Sequence, residues 1–301
     1  MNPATQTKIA IATFFVLSAS AFAVRVSLQR EGLTKDAFYE LKRSWQQQYD
    51  LVLAGDSRLA RGVSPERMQR TLAETRIANL GFDANSLVYE PYLNYVEETL
   101  DPSSERRVIV LGVDPYELTP RSTTNNGFIE YSQRGAPGSS EQTSPASVVR
   151  DGLAPLQVRK LVVPGETVEL FDERGFIATD RTPIDETARL PRYRTKFDDN
   201  RVSVTYAQVL LDAVARWRRQ GVQVFGFSPP ISQGLAELER ELSGFDQTWF
   251  IEEFERRGGV WISGLGENYQ TYDGEHLVSN SAAKLSDRLA TRLEAHFSAS
   301  P

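Results

Sequence analysis

Two short segments of this chain hold the residue types of an acyl-transfer site. Ser57 follows a short apolar run and the pair Gly55-Asp56, and Asp273 stands three residues before His276. A serine hydroxyl is a weak nucleophile until a base takes its proton, and neutral imidazole suits that role near pH 7. A carboxylate beside the imidazole selects its tautomer and stabilises the cation that forms. The residue types therefore predict a serine nucleophile, a histidine base and an aspartate that orients the base.

Each segment also has an ordinary structural interpretation. A serine directly after a strand is common as a helix cap or a turn residue. A single histidine in a polar loop, such as His276, is usually solvated. The combination of a serine after the first strand with an acid and a base before the last helix favours the catalytic interpretation. The other histidine, His296, is expected on the surface of a C-terminal helix.

The composition excludes several other kinds of chemistry. The 301 residues include no cysteine and only two histidines, which excludes thiol catalysis, disulfides and zinc sites that need several histidines. The chain has no Asp-rich loop of the calcium-binding type, and we expect neither a metal nor another cofactor. With 40 acidic residues, 34 basic residues and no basic tract, its net charge of −6 gives no reason to expect nucleic acid as a partner.

Alternating strands and helices are predicted to position the reactive residues. Short apolar runs that end at glycine or at polar residues indicate strands buried on both faces, and the segments between them have helical periodicity. This alternation predicts one three-layer α/β/α domain with a five-stranded parallel sheet. Ser57 and His276 are then expected at the edge where the carboxyl ends of the strands meet. The predicted strands are 49–54, 76–82, 107–113, 222–227 and 260–263.

The N-terminal segment differs from the rest of the chain. The apolar run Ile9–Val24 is slightly shorter than the ~20 residues that cross a bilayer, and Ala21-Phe22-Ala23 has the small-x-small pattern of a cleavage site. We predict residues 1–25 to be a membrane anchor or a signal segment, with the anchor favoured. The protein is then exported and anchored at the periplasmic or extracellular face, with a cleaved secreted form as the alternative. Residues 26–48 are predicted as a helical juxtamembrane stretch.

Residues 49–301 are predicted to form the domain itself, with an insertion at about 119–200. Ser, Thr, Asn, Gly and Pro are frequent in residues 119–147, which predicts a long surface loop. Short β-like pieces around Gly165 and Gly175 indicate a hairpin farther along the insertion.

Three motifs together resemble the GDSL/SGNH hydrolase superfamily. Gly55-Asp56-Ser57 matches its nucleophile motif, Asp273-x-x-His276 matches its final block, and Gly81 falls where the family has a glycine whose amide helps to form the oxyanion hole. The resemblance spans about residues 51–293 apart from the insertion. It implies a flavodoxin-like SGNH fold in which Ser57, Asp273 and His276 are the catalytic triad.

One block departs from the family pattern. Members of the family usually carry Gly-x-Asn-Asp after the third strand, where this chain has Gly112-Val113-Asp114-Pro115. An ionised Asp114 would repel an oxyanion. The oxyanion hole would then consist of the backbone amides of Ser57 and Gly81, helped by the side chain of Asn79 or Asn85.

The resemblance implies a serine esterase that acts outside the cytoplasm on an acylated carbohydrate or a similar ester. Two alternatives remain open: an O-acyltransferase of an envelope or exopolysaccharide, as in bacterial polysaccharide O-acetylation proteins, and a non-catalytic glycan-binding protein of the same fold. Arg58 and Asp114 are the predicted substrate-binding residues. For Arg58 and its neighbour Arg61, structural ion pairs with Asp83 or Asp114 are the favoured alternative.

Overall fold

The computed structural model describes residues 33–124, 126–133 and 167–299. All elements named below belong to one compact unit, which begins at Thr34. The predicted anchor or signal segment lies outside the described residues. Within the described ranges, no helix is both long enough and apolar enough to cross a membrane.

Five strands form a parallel sheet in the order β2-β1-β3-β6-β7, and two others form a separate antiparallel hairpin. The strands of the described residues are β1 (Leu51–Gly55), β2 (Ile77–Asn79), β3 (Val108–Gly112), β4 (Thr167–Phe171), β5 (Ile177–Arg181), β6 (Gln223–Phe227) and β7 (Val260–Trp261). Every residue of β1 and β3 is buried, as expected for apolar strands covered on both faces. The predicted five-stranded parallel sheet is confirmed.

Helices cover both faces of this sheet. The helices of the described residues are, in chain order, α1 (Lys35–Ser44), α2 (Ser57–Gly62), α3 (Pro65–Met68), α4 (Glu90–Thr99), α5 (Gly127–Gln133), α6 (Leu190–Phe197), α7 (Val204–Arg219), α8 (Gln233–Leu242), α9 (Gln247–Arg256) and α10 (Ser279–Ala299). Helices α2, α3 and α10 pack together on one face, whereas α4 and α7 pack together on the other. The predicted three-layer arrangement is therefore confirmed as well.

The core under α10 follows directly from two periodicities in the sequence. Successive strand residues point to opposite faces of a sheet, so that Leu51 and Leu53 of β1 and Val108 and Val110 of β3 face the same side. An apolar stripe at a spacing of four residues along α10 packs against them, and its members are Leu285, Leu289, Leu293 and Phe297. This packing fixes the C-terminal helix, and with it the loop that precedes it.

The insertion contains more regular structure than its sequence predicts. In the described part of the predicted surface loop, the 3₁₀ turn Pro120–Thr123 and α5 replace irregular structure. Phe128 and Tyr131 of α5 are buried against aromatic rings, among them Phe82. The loop prediction is wrong here because these contacts are distant in sequence and leave no local periodicity. The hairpin predicted near Gly175 is present as β4 and β5, and Gly175 in its turn has a φ of +91°.

Helix α1 packs into the same compact unit as the sheet. Its Lys42 is fully buried and donates a hydrogen bond of 2.6 Å to the carbonyl oxygen of Gly81. Burial lowers the pKa of Lys42 to about 7, against the opposing effect of the charges of Asp172 and Asp83. Helix α1 thus holds the loop that follows β2, although the sequence assigns residues 26–48 to a stretch before the domain.

Candidate active site

A tight turn from strand to helix places Ser57. Strand β1 ends at Gly55, and Asp56 caps α2 by accepting a hydrogen bond of 2.7 Å from the Arg58 amide. Asp56 is thus the helix cap, and Ser57 is the first helical residue. A Cβ atom on Gly55 would lie 2.8 Å from the carbonyl oxygen of Gly112. Only glycine therefore lets β1 and β3 stay this close at the edge where Ser57 emerges.

A second tight turn places the acid and the base. The amide of Tyr272 donates to the carbonyl of His276 at 2.9 Å, and Gly274 between them has a φ of +89°, a conformation that favours glycine. Asp273 Oδ1 accepts from the amides of Glu275 (3.0 Å) and His276 (2.9 Å). Asp273 therefore organises the loop before it contacts the imidazole.

The structure brings Ser57, His276 and Asp273 together in one line of hydrogen bonds. His276 Nε2 lies 2.9 Å from Ser57 Oγ, and His276 Nδ1 lies 2.9 Å from Asp273 Oδ2. A proton on Nδ1 donates to the carboxylate, which leaves Nε2 free to accept from the serine hydroxyl. All three residues are buried, with 7% of Ser57 and 4% of His276 exposed.

Charge and hydrogen bonding keep Asp273 ionised. Burial alone would raise its pKa, but the hydrogen bond and charge of His276, together with Arg189, hold the pKa of Asp273 well below its usual range. Arg189 Nε lies 2.7 Å from Asp273 Oδ2, the same oxygen that faces the imidazole. Tyr272 stacks on the imidazole with a ring-centre distance of 5.6 Å. The arrangement can accept a proton from Ser57 and stabilise the resulting imidazolium.

The structure corrects the predicted oxyanion hole. The Gly81 amide donates to Asn79 Oδ1 at 2.8 Å, and Asn79 Nδ2 donates to the carbonyls of Leu59 (2.9 Å) and Val63 (2.8 Å). Asn79 thus binds the end of β2 to α2 and also occupies the Gly81 amide, so that neither predicted donor is free to bind an oxyanion in this structure. The other proposed helper, Asn85, donates to a backbone carbonyl and is buried. Of the predicted donors, the Ser57 amide has no hydrogen-bond partner among the described residues.

We expect Asn79→Ala to lower the free energy of unfolding by roughly 2–4 kcal/mol, because it leaves two buried backbone groups without partners, the Gly81 amide and the Val63 carbonyl. The Leu59 carbonyl keeps the Val63 amide as a donor. In the folded fraction, kcat for ester hydrolysis should change less than threefold, since Asn79 supports α2 and does not contact the reacting atoms. Urea unfolding followed by circular dichroism, together with initial rates, measures both effects. Asn94→Ala removes an exposed asparagine and serves as the control, with a change below about 0.5 kcal/mol. A large loss of kcat at unchanged stability would restore Asn79 as an oxyanion donor.

Arg58 and Asp114 belong to a buried ionic network. The guanidinium of Arg58 contacts Glu239 and donates a hydrogen bond of 2.9 Å to the Tyr193 hydroxyl, and its Nε lies 3.7 Å from Asp114 Oδ2. The side chains of Arg58 and Asp114 are 2% and 1% exposed. A substrate cannot reach groups that are this deeply buried, and the predicted substrate-binding role of both residues is corrected to a structural one.

Arg61, the other arginine near the nucleophile, also has carboxylate partners. Its guanidinium lies 2.8 Å from Asp83 Oδ1 and 2.7 Å from Glu169 Oε1. Asp83 is partly exposed, and the charge of His276 is among the influences that lower its pKa although burial opposes them. Asp83 is thus near enough to His276 to sense its charge, and it is also the ion-pair partner that the sequence analysis considered.

A second group of buried carboxyls lies behind the nucleophile. Oxygen atoms of Asp56, Asp114 and Glu117 lie within 4.8 Å of one another, and each residue has one oxygen without a hydrogen-bond partner. Burial, followed by the charge of Asp114, raises the pKa of Asp56 and Glu117 well above the ordinary range. Protonated carboxyls can share hydrogen bonds here, and the adjacent positive charge of Arg58 opposes a metal ion. Asp273, Glu275 and His276 are similarly close, but they contact one another and neighbouring side chains.

Four residues that contribute to the site were missed by the sequence analysis. Arg189 and Tyr193 come from the insertion, which has no regular pattern, and Glu239 comes from α8, which was not predicted. Glu275 stands inside the Asp273-x-x-His276 motif, and its charge next to the base was the one local signal for its role.

Fold and site together define an α/β protein with a Ser–His–Asp constellation at the carboxyl ends of a parallel sheet. No protein-family model matches the chain, and no curated protein matches it significantly. It is similar in structure to Est24, a carbohydrate acetylesterase from Sinorhizobium meliloti, with 10% identity, a TM-score of 0.41, and coverage of 83% of this chain and 100% of that chain.

Two structures of a family two carbohydrate esterase from Clostridium thermocellum are also similar to this chain. One is a complex with cellohexaose, with 12% identity, a TM-score of 0.38, and coverage of 84% of this chain and 66% of that chain. The other is an active-site mutant, with 11% identity, a TM-score of 0.37, and coverage of 84% and 65%. At these values the likeness concerns the fold, and nothing about activity follows from it.

Proposed function

We propose that this chain is a serine-dependent ester hydrolase. The observation that carries the proposal is the unbroken line from Ser57 Oγ through both ring nitrogens of His276 to Asp273, with 2.9 Å at each step. A catalytic triad is recognised by this geometry and by the roles it allows. A helix cap or a surface turn would explain each residue alone, but neither explains why residues 219 positions apart meet in this orientation.

The mechanism follows from the proton positions. Ser57 Oγ attacks the ester carbonyl carbon while His276 Nε2 takes the serine proton, and the carbonyl π electrons move to oxygen. His276 then gives that proton to the departing alcohol as the bond to the alcohol oxygen breaks, which leaves an acyl-serine. Water repeats the two steps and releases the carboxylic acid. The Ser57 amide, free at the start of α2, is the donor that we assign to the oxyanion.

We extend the proposal to an acylated carbohydrate as substrate and to an exported, membrane-anchored location. The carbohydrate substrate is the class that the motif resemblance implies. The partly exposed side chains of Asp83 and Arg189 near His276 can hydrogen-bond to sugar hydroxyls. The location rests on the apolar run Ile9–Val24.

The deciding experiment treats the purified full chain with a fluorophosphonate probe, beside Ser57→Ala and His276→Ala. We expect covalent labelling of the wild type alone, because the probe reacts with a serine whose proton is taken by a base. An acetyl ester with and without an added oligosaccharide then separates hydrolysis from acyl transfer. A well-folded wild type that is not labelled would contradict the proposal and favour a glycan-binding protein. Acetylated oligosaccharide formed faster than free acetate would favour the O-acyltransferase.

A further inference from the structure

A second carboxylate, that of Glu275, lies near the imidazole and within 4.8 Å of the Asp273 carboxylate. Glu275 Oε2 lies 3.9 Å from His276 Nε2, the nitrogen that receives the Ser57 proton. Only 3% of Glu275 is exposed. Proton transfer from Ser57 would therefore create a positive charge close to two carboxylates, with Asp273 2.9 Å from Nδ1 and Glu275 3.9 Å from Nε2.

Helix α6 and the residue before it hold this carboxylate in place. The Tyr193 hydroxyl donates to Glu275 Oε1, Lys196 Nζ lies 3.8 Å from the same oxygen, and Arg189 Nε lies 3.5 Å from Oε2. Burial alone would raise the pKa of Glu275, but the charges of His276, Lys196 and Arg58 and the hydrogen bond from Tyr193 hold it well below the usual range. Glu275 is therefore ionised wherever the triad can work.

Tyr193 connects the nucleophile side of the site to the base side. Its hydroxyl accepts hydrogen bonds from Arg58 Nη2 (2.9 Å) and Lys196 Nζ (3.1 Å) and donates its proton to Glu275. Arg58 directly follows the nucleophile, and Glu275 directly precedes the base. The hydroxyl has used its one proton and both lone pairs, so it cannot turn away from Glu275 without leaving a buried group unpaired.

We propose that Glu275 is a positioning residue that stabilises the imidazolium form of His276, and that α6 keeps its carboxylate directed at Nε2. The expected effect on catalysis rests on the proposed ester-hydrolase function. The stabilisation of the charged form of His276 does not depend on that function. Two unit charges about 4 Å apart interact appreciably even at the high effective dielectric of protein sites. Among the described residues, the charged groups near the imidazole or in contact with its two carboxylates include Asp273, Glu275, Asp83, Arg189 and Lys196.

Two substitutions that change the charge near His276 in opposite directions test this role. Glu275→Gln keeps an oxygen that accepts from Tyr193 and removes the negative charge, whereas Lys196→Met removes a cation that partly neutralises Glu275. The pH titration of the His276 ring protons is followed by NMR in a His296→Asn background, where His276 is the one remaining histidine. We expect its titration midpoint to fall by about 0.5–1 pH unit in Glu275→Gln and to rise in Lys196→Met.

Kinetics and a matched control complete the test. In Glu275→Gln we expect kcat to fall roughly tenfold with KM changed less than twofold, because the charge acts when the imidazolium forms. Glu169→Gln makes the same chemical change at a carboxylate bound to Arg61 and should leave the midpoint within about 0.2 unit. Unchanged midpoints in both test variants would overturn the proposal. A shifted midpoint in a chain that the fluorophosphonate probe does not label would sustain the role of Glu275 and reject the hydrolase.

Discussion

Ser57→Ala should lower kcat for ester hydrolysis by about 10⁴–10⁶-fold, the largest effect that we expect from any single change. Ser57 Oγ is the nucleophile in the proposed mechanism, and alanine offers no atom that can form the acyl-enzyme. The fold should persist because the hydroxyl hydrogen-bonds to His276 alone, while Asp56 continues to cap α2. Initial rates on a chromogenic acetyl ester measure the loss, and a thermal midpoint within about 2 °C of the wild type confirms folding.

Two further variants make this result specific. Ser228 directly follows β6 at the same edge of the sheet, and Ser228→Ala should keep kcat within twofold. Residues that act as one unit give non-additive losses. The double variant Ser57→Ala/His276→Ala should therefore be no slower than Ser57→Ala. A tenth or more of wild-type activity in Ser57→Ala would show that the nucleophile lies elsewhere.

Asp273→Asn should lower kcat by about 10³–10⁴-fold while the chain stays folded. Four donors surround the Asp273 carboxylate: the amides of Glu275 and His276 at Oδ1, and His276 Nδ1 and Arg189 Nε at Oδ2. An amide has one accepting end, so one pair of donors would face the NH₂ group of asparagine. The backbone amides at Oδ1 can only donate, so we expect the asparagine oxygen there and its NH₂ group facing His276 Nδ1, while the partly exposed Arg189 turns away. The imidazole would then adopt the other tautomer, with its proton on Nε2 and no lone pair for Ser57.

The measurement is kcat between pH 5 and 9, with circular dichroism to confirm the fold. Asp185→Asn serves as the matched control, because this exposed aspartate lies in a neighbouring loop and caps a local turn at Thr187. We expect it to change kcat less than twofold. Wild-type rates in Asp273→Asn would mean that Asp273 only organises the loop and that the base needs no carboxylate at Nδ1.

The sheet and the three aligned residues were predicted from the sequence because both depend on local patterns. Strand β3 is an uninterrupted apolar run, and the stripe on α10 repeats at helical spacing. Residues at strand ends are brought to one edge by the parallel topology itself. The positions of Ser57 after β1 and of His276 before α10 therefore follow from the sequence.

The roles of Gly81 and Asn79 were not predictable from their positions in a motif. The family resemblance implies an oxyanion donor at Gly81, and the nearby Asn79 was considered as a helper because the usual family asparagine is missing. The structure uses the Gly81 amide for Asn79, and a Cβ atom on Gly81 would lie 2.6 Å from the Ala60 amide and 2.7 Å from the Asp56 carbonyl. Glycine is thus required for close packing against α2. A motif specifies which residue is present, but only packing decides where its amide points.

The sequence by itself determined the five strands of the parallel sheet, the C-terminal helix, the chemical types at the sheet edge, and the absence of thiol chemistry. Tertiary structure alone decided that Arg58 is buried beside Glu239, that Tyr193 joins Arg58 to Glu275, and that Glu275 faces the Nε2 side of His276. The physical reason is the distance along the chain over which the interacting residues are spread. Periodicity shows which face of a helix or strand is apolar, and it is a local property of the sequence. A buried charge is instead neutralised by the partners that the folded chain brings within a few ångströms. Here those partners come from segments far apart in the sequence.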